Sequence, residues 1–244
     1  MKKVLVFMAL AALAVPGWGT VLYDRTTETG YRYNPGLGGD PNVAPPTQFD
    51  VTFDDVPIPV SRLGGYTWAD ITRVTVGIRR GPSAPATDVS VYYTTFTTNV
   101  TPPDLNIDTP PTLIQTFSLP AGGASWVTEL LVAGDGVNTL FTVPLNMDYI
   151  GDPNTPGPEF GSFAIGVQIH NADTLNGWRI TSGPDGNADI FWLYDTDLSN
   201  PEKGPYYFGG NPVAAFYIKV EGEGVVPEPA SLGLLGLALL LRRR

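Results

Sequence analysis

Cysteine is absent from this chain of 244 residues, and histidine occurs once, at His170. The lack of cysteine excludes a disulfide framework, a thiolate zinc site and a cysteine nucleophile. A single histidine excludes a histidine-rich metal centre, and no Gly-x-Ser-x-Gly motif is present to supply a serine nucleophile. We therefore expect His170 to be a hydrogen-bonded or solvent-facing residue at the end of a strand.

Basic residues are also few, with 14 Lys and Arg against 24 Asp and Glu. Five of the basic residues but only one acidic residue lie in the two terminal segments described below. The body, residues 20–225, therefore carries nine basic and 23 acidic residues, which is a formal charge of −14. This balance excludes nucleic acid as a partner, because phosphate binding requires clustered Lys and Arg. It favours solubility and leaves divalent cations as candidate ligands.

The first 19 residues have the order of a secretory signal peptide. Lys2 and Lys3 precede an apolar run at residues 4–15, and small residues follow at the −3 and −1 positions of a cleavage site between Gly19 and Thr20. The alternatives are an uncleaved membrane anchor or a buried first helix. The pattern predicts a helical signal peptide, removed during export through an inner membrane.

Short runs in which apolar and polar residues alternate occur throughout the body. In residues 71–78, Val74, Val76 and Ile78 share one face of a strand, although Ile71 is out of step. Gly, Pro, Asp and Asn separate the runs, and no stretch offers the apolar stripe and caps of a helix.

Ten strands are predicted in the body. They are residues 48–53, 71–78, 89–96, 112–119, 126–132, 139–143, 162–170, 178–181, 190–194 and 213–220. Short strands with hairpin-scale connections predict an all-β fold: one antiparallel β-sandwich, jelly-roll-like, with a closed barrel as the alternative. Both faces of residues 190–194 are apolar, which places that strand centrally and Trp192 in the core.

The C-terminal segment, residues 226–244, contains twelve apolar or small residues between a Pro-Glu-Pro triplet and three arginines. As a helix, twelve residues span about 18 Å, well short of the ~30 Å hydrocarbon layer. The arginines stop transfer and stay on the cytoplasmic side. Such a tail holds a nascent chain in the membrane for a time but is a poor permanent anchor, which predicts a signal that is recognised and removed.

This tail resembles the PEP-CTERM sorting signal of Gram-negative bacteria. The motif residues are Val226, Pro227, Glu228 and Pro229, followed by the apolar run and by the cytoplasmic stop at Arg242, Arg243 and Arg244. The resemblance implies recognition by a membrane-embedded exosortase that cuts near the triplet. It also implies a surface or matrix location and exopolysaccharide as a candidate partner. The closing run 214–221 is similar to the β-sandwich bodies attached to such tails.

Paired carboxylates are the groups that glycoside hydrolysis requires. The candidate pairs are Asp54 with Asp55, Asp195 with Asp197, and Glu221 with Glu223. None stands in a distinctive context, so we assign no catalytic residue and predict that the protein is not an enzyme. A carbohydrate-active hydrolase is one alternative.

A second alternative is a calcium-dependent lectin or adhesin. The loop that contains Asp185, Asn187 and Asp189 has oxygen ligands of the kind that calcium prefers, although its spacing is not that of an EF-hand and turn chemistry explains it equally well. We expect no cofactor, with a structural calcium ion left open. Exposed aromatic residues are the candidate sugar platforms, and Tyr206 and Tyr207 lie in a segment expected to be a Gly/Pro-rich loop.

The sequence as a whole predicts three segments: a signal peptide at 1–19, a β-sandwich body at 20–225 and a sorting tail at 226–244. The expected function is that of an exported, non-enzymatic surface or matrix protein, inserted transiently in the inner membrane through its tail.

Overall fold

The computed structural model describes residues 20–33, 51–58, 62, 66, 68–96, 110–122, 126–133, 139–144, 163–170, 175–181, 190–194, 203–207 and 215–225. Within these ranges the chain is all-β and contains no α-helix. The terminal segments 1–19 and 226–244, with the helices predicted there, lie outside the described residues.

Fourteen strands occur in the described residues. They are β1 (Thr20–Arg25), β2 (Glu28–Tyr33), β3 (Val51–Asp55), β4 (Trp68–Arg80), β5 (Thr87–Thr95), β6 (Thr112–Leu119), β7 (Trp126–Ala133), β8 (Phe141–Pro144), β9 (Phe163–Ile169), β10 (Asn176–Thr181), β11 (Ile190–Tyr194), β12 (Lys203–Tyr207), β13 (Ala215–Phe216) and β14 (Ile218–Val225). They form two antiparallel sheets.

Sheet A contains eight strands in the order β1-β14-β4-β10-β13, with β2 paired to β10 and with β7 and β8 both paired to β4. Sheet B contains six strands in the order β12-β11-β3-β9-β5-β6. Consecutive strands such as β3 and β4, or β9 and β10, lie in different sheets, so the chain crosses between the sheets repeatedly. The predicted all-β, antiparallel class is confirmed.

Strand β4 is the centre of sheet A, since it pairs with β14 and β10 along one edge and with β8 and β7 along the other. Its register with β14 shifts between Arg73 and Ile71, which makes Thr72 the extra residue of a β-bulge. The bulge changes the alternation, so that Ile71, Val74 and Val76 are all fully buried. The out-of-step Ile71 is therefore the sequence signal of this bulge.

The two sheets share one hydrophobic core. Val76 of sheet A lies in the same buried cluster as Ile165 and Val167 of sheet B. Trp178 and Phe216 belong to this cluster and stack with ring centroids 4.1 Å apart. Burying each such side chain contributes about 1.5–3 kcal/mol to folding, so this cluster is the main source of stability in a chain without disulfides.

Sheet B is also buried on part of its outer face, the side turned away from sheet A. A second cluster lies there, which we call the aromatic cluster. It consists of Val51, Phe53, Phe96, Ala164, Trp192 and Tyr194. Strand β11 lies between β12 and β3, and Trp192 is fully buried, so the predicted central strand and core tryptophan are confirmed.

Gly166 of β9 provides the space for the Phe53 ring in this cluster. The two residues are directly opposite in the pairing of β3 with β9. A Cβ atom at position 166 would lie 2.7 Å from the Cδ1 and Cζ atoms of Phe53, which is closer than carbon atoms can pack. The close approach of the ring therefore requires glycine.

The strand prediction missed β1, β2 and β12. Tyr206 and Tyr207 were expected in a loop, but they belong to β12, where they pair with β11 opposite Phe191 and Ile190. The loop prediction was wrong because Pro205, which argues against a central strand, is tolerated in β12, the edge strand of sheet B.

Candidate functional site

Strand β5 places polar side chains in a row on the outer face of sheet B. Val89 and Val91 point into the shared core. Side chains alternate along a strand, so Asp88, Ser90 and Tyr92 point to the opposite side. Their neighbours across β6 and β9 are also polar, which distinguishes this part of the outer face from the aromatic cluster.

Ser90 is the centre of this row. Its hydroxyl group lies 2.8 Å from the hydroxyl of Thr116 on β6 and 2.7 Å from Nε2 of His170, which directly follows β9. Ser90 is 1% exposed, whereas Thr116 is exposed and His170 is partly buried. The buried serine therefore fixes the orientation of two residues that reach the surface. The expectation of a hydrogen-bonded, strand-end His170 is confirmed.

Two further hydrogen bonds continue the row on either side. Ser118 donates to Oδ1 of Asp88 at 2.7 Å, and both residues are exposed. The Tyr92 hydroxyl donates to Oε1 of Gln168 at 2.8 Å, and Gln168 is buried. We call these residues the polar patch. It consists of Asp88, Ser90, Tyr92, Thr116, Ser118, Gln168 and His170.

The polar patch ends on an apolar pair. Leu113 of β6 lies directly opposite Tyr92 of β5, so their side chains are neighbours on the same face. Leu113 is 50% exposed, which makes it one of the most exposed large apolar side chains of the described residues. Tyr92 is partly buried against the aromatic cluster, which supports its ring from below. The patch therefore combines hydrogen-bonding groups with an apolar platform.

The other end of the polar patch opens into a surface depression of about 390 Å³. Its lining residues are Ala86, Thr87, Asp88, Ser118, Leu119 and Pro120. The buried guanidinium group of Arg80 holds the two loops beside it, since it donates to the carbonyl oxygens of Pro85 at 2.8 Å and of Pro120 at 2.6 Å. Its Nε also donates to Asn176 at 2.9 Å. Charge-assisted hydrogen bonds are stronger than neutral ones, so Arg80 is a strong link between the two loops at the rim.

Asp54 and Asp55, one of the predicted carboxylate pairs, do not flank a cleft. They are adjacent in β3 and both are buried, so they point to opposite sides of the strand. Asp54 accepts a hydrogen bond from the backbone N–H of Phe216 at 2.8 Å and so links sheet B to sheet A. Burial, and then the Asp55 charge, raise the pKa of Asp54 well above its ordinary value, against the opposing effects of the Phe216 hydrogen bond and, after it, of the Arg25 charge.

Of the remaining carboxylate candidates, one pair lies on sheet A and the other lies outside the described residues. Glu221 of β14 forms an ion pair with Lys219 at 3.1 Å, and Glu223 is exposed. Surface pairs of this kind contribute about 1 kcal/mol or less. Asp195 and Asp197 lie outside the described residues.

The binding and processing residues predicted from the sequence also lie mainly outside the described part. These are Gly19, Asp185, Asn187, Asp189, Val226, Pro227, Glu228, Pro229, Arg242, Arg243 and Arg244. Thr20 is the first residue of β1. Among the described residues, no three His, Cys, Asp or Glu side chains come together to hold a metal ion.

Sheet A carries a different polar network at the junction of β13 and β14. The Tyr217 ring covers Gly77, where an added Cβ would lie 2.6 Å from Cγ of the ring, and the Tyr217 hydroxyl donates to Glu129. The Arg179 guanidinium carbon lies 6.0 Å from the ring centroid. Burial and the Glu129 carboxylate raise the pKa of Tyr217. These contacts fix the β13–β14 junction against β4.

Sequence reasoning missed the polar patch as a unit. The alternation Asp88-x-Ser90-x-Tyr92 is visible in the sequence, and so is Thr116-x-Ser118 on the next strand. Gln168 and His170, however, lie 80 residues along the chain from Asp88 and Ser90, and only the pairing of β5 with β9 brings them together.

Comparison of the chain with protein-family models, with curated proteins and with solved structures found no match. A helix with the length and hydropathy needed to cross a membrane is absent from the part of the chain that the structure describes. Function is therefore inferred from the residues and their arrangement.

Proposed function

We propose that this chain is an exported, non-enzymatic protein of the cell surface or extracellular matrix of a Gram-negative bacterium. Residues 1–19 direct export, and residues 226–244 hold the chain in the inner membrane until an exosortase-type enzyme cuts near Pro227-Glu228-Pro229. The final arginines stay on the cytoplasmic side, in line with the positive-inside bias.

The structural observation that supports this proposal is the pairing of the first described strand with the last described strand. Strand β1 begins at Thr20 and β14 ends at Val225, and Thr20 lies opposite Gly222. Paired strands are about 5 Å apart, and the three further residues of β14 add about 10 Å. Thr20 and Val225, the described residues nearest to the two predicted processing points, therefore lie at the same end of sheet A. This arrangement suits insertion of both apolar segments into one membrane.

The finer architecture proposed for the body is a jelly-roll-like β-sandwich, with helix restricted to the two terminal segments. The supporting observations are the core shared by the two antiparallel sheets and the repeated crossing of the chain between them. A closed barrel would instead require continuous pairing around a single sheet.

Mass spectrometry of the protein isolated from its host tests the proposed processing. The expected mature protein begins at Thr20 and lacks Arg242–Arg244. An intact Arg244 on surface-located protein would overturn the sorting proposal.

A matched pair of glutamate variants tests the motif itself. Glu228→Ala is expected to keep the uncut protein in the inner-membrane fraction. Glu223→Ala removes an exposed charge only five residues earlier and is expected to leave processing unchanged. Immunoblots of the membrane and extracellular fractions measure the processing of each variant. Equal processing of both variants would contradict recognition of the triplet.

The hydrolase and calcium alternatives have direct tests. A screen of polysaccharide hydrolysis is expected to give no turnover. If turnover is found and Asp54→Asn or Asp55→Asn abolishes it, the non-enzymatic proposal is wrong and the hydrolase alternative takes its place. Ca²⁺ titration followed by calorimetry, with Asp185→Asn and Asp189→Asn as variants, tests the loop at 185–189.

A further inference from the structure

We infer that the polar patch on the outer face of sheet B is a binding site for a neutral glycan chain. This inference rests on the proposed surface or matrix location, which gives the site access to polysaccharide. The site itself is argued from the hydrogen bonds, exposure and charge of the described residues.

The functional groups of the patch match a polyhydroxylated ligand. The hydroxyl groups and the imidazole at the surface of the patch both donate and accept hydrogen bonds, and Asp88 accepts them. Sugar hydroxyl groups need both kinds of partner. A ligand site of this type combines a few fixed polar groups with apolar surface, and here Tyr92 and Leu113 supply the apolar surface against which the C–H groups of a sugar ring can pack.

The exposed groups are held in place before a ligand arrives. Ser90 and Gln168 are buried, and their hydrogen bonds orient Thr116, His170 and Tyr92. Arg80 holds the loops beside the depression at the other end. A preorganised site loses less side-chain entropy on binding, which increases affinity for a given set of contacts.

The dimensions of the patch indicate a chain and not a single small molecule. Asp88, Ser90 and Tyr92 recur at every second position of β5, so they span about 13 Å along the strand. This distance exceeds one sugar ring, and the depression of about 390 Å³ extends the surface beyond Asp88.

Charge selects a neutral ligand. The body has a formal charge of −14, and Asp88 places a carboxylate within the patch. A polysaccharide rich in uronic acid or sulfate would be repelled by both. The structure thus favours a neutral glycan over an acidic one.

Native gel electrophoresis of the full chain in mild detergent, with a soluble polysaccharide cast in the gel, tests this inference. The probes are a β-glucan, a mannan, a galactan and, as the acidic counterpart, alginate. At least one neutral polysaccharide is expected to retard the protein, and alginate is not. Retardation by none of the three neutral probes, or by alginate most strongly, would overturn the inference.

Matched double variants locate the site. Asp88→Asn with Ser118→Ala removes one hydrogen-bonded pair of the patch. Asp70→Asn with Thr142→Ala removes a similar pair on sheet A, where Thr142 donates to Asp70 at 2.5 Å. The first variant is expected to weaken binding about tenfold or more, because two groups that can hydrogen-bond to the glycan are changed. The second variant is expected to leave binding unchanged. Equal retardation of the two variants would overturn the assignment of the patch.

The chain also offers a matched pair of leucines, because Leu113 and Leu131 are each 50% exposed but lie on different sheets. Leu113→Ser is expected to reduce affinity several-fold and Leu131→Ser is not. Loss of glycan binding in a protein that is still exported and trimmed would remove only this inference. An untrimmed protein that still binds glycan would instead remove the sorting proposal.

Discussion

The outer face of sheet B has two halves that use the same backbone differently. On the side of β3 and β11, aromatic rings pack together, as in the contact of Phe96 with Trp192 at 4.7 Å between centroids. On the side of β5 and β6, hydroxyl, amide and imidazole groups bond to one another around Ser90. Only the aromatic half is buried throughout.

Strand β9 shows how one sequence specifies both halves. Its inward positions are apolar along their whole length. Its outward positions change from Ala164 and Gly166 to Gln168, and the chain continues to His170. The small residues make room for rings from β3 and β11, and the polar residues provide partners for β5. In a strand that is buried on its inner face, the outward residues therefore decide whether the outer face adds to stability or is available for recognition. The inward residues stay apolar in both halves.

Removing the Phe53 ring would test the apolar half most severely. Phe53→Ala is expected to reduce the free energy of unfolding by about 3–5 kcal/mol, because it leaves a cavity in a fully buried cluster. Chemical denaturation measures this change. Leu113→Ala, at the exposed end of the polar half, is expected to change the free energy of unfolding by about 0.5 kcal/mol or less. Similar losses for both variants would contradict the difference in burial between the two halves.

Adding a methyl group at Gly166 tests the same contact from the opposite strand. Gly166→Ala is expected to cost about 1–3 kcal/mol, because its Cβ meets the Phe53 ring. Combining it with Phe53→Leu should cost less than the sum of the single changes, since the shorter side chain relieves the clash. Strict additivity in denaturation experiments would show that the two residues do not compete for space.

Asp54, on the reverse side of β3 from Phe53, makes a pH-dependent contribution. The raised pKa means that the folded chain keeps this carboxyl protonated at pH values where the unfolded chain has ionised it. Wild-type stability is therefore lost as pH rises from the ordinary carboxyl range towards the folded pKa, by at most about 1.4 kcal/mol per pH unit for one proton.

Asp54→Asn removes this titration while keeping an acceptor for Phe216. The stability of Asp54→Asn relative to wild type is expected to increase with pH, as measured by denaturation at several pH values. Asp88→Asn, at an exposed carboxylate, controls for the effect of an Asp-to-Asn change outside the core. A pH-independent difference between wild type and Asp54→Asn would contradict the buried, protonated carboxyl.

Within the polar half, removing a buried hydroxyl group should reduce the free energy of unfolding more than removing an exposed one, but the difference should be smaller than in the comparisons above. Ser90→Ala is expected to cost about 1–2 kcal/mol because it removes the group shared by Thr116 and His170, whereas Thr116→Ala should cost about 0.5 kcal/mol. Thermal unfolding of the two variants measures this difference. A larger effect at Thr116 would show that Ser90 does not organise the patch.

Much of the fold was predictable from local patterns. The alternation in β4, β5, β6 and β9 indicated strands because apolar residues at every second position can be buried only on one face of a sheet. The apolar character of both faces of β11 indicated a central strand. Strands β2 and β12 were missed because they contain glycine, charged residues or proline and are strands through their pairing. Strand β1 was missed although its residues Thr20 to Tyr23 are typical of a strand.

The site was less predictable than the fold. The sequence drew attention to Asp54 and Asp55 because they are adjacent, but adjacency in a strand separates side chains to opposite faces. It also drew attention to His170 without showing its partner. The partner, Ser90, lies 80 positions away, and a contact over that separation depends on which strands pair.

The sequence by itself determined the all-β class and the acidic composition of the chain, because composition and alternation are local properties. Its charge order also predicts the character of the two ends. Tertiary structure alone decided which polar residues meet. The pairing of β5 with β6 and β9 gathers Ser90, Thr116 and His170, and the pairing of β1 with β14 brings both ends of the body together. Register between distant strands is fixed by burial of the whole core, and no single stretch of sequence contains that information.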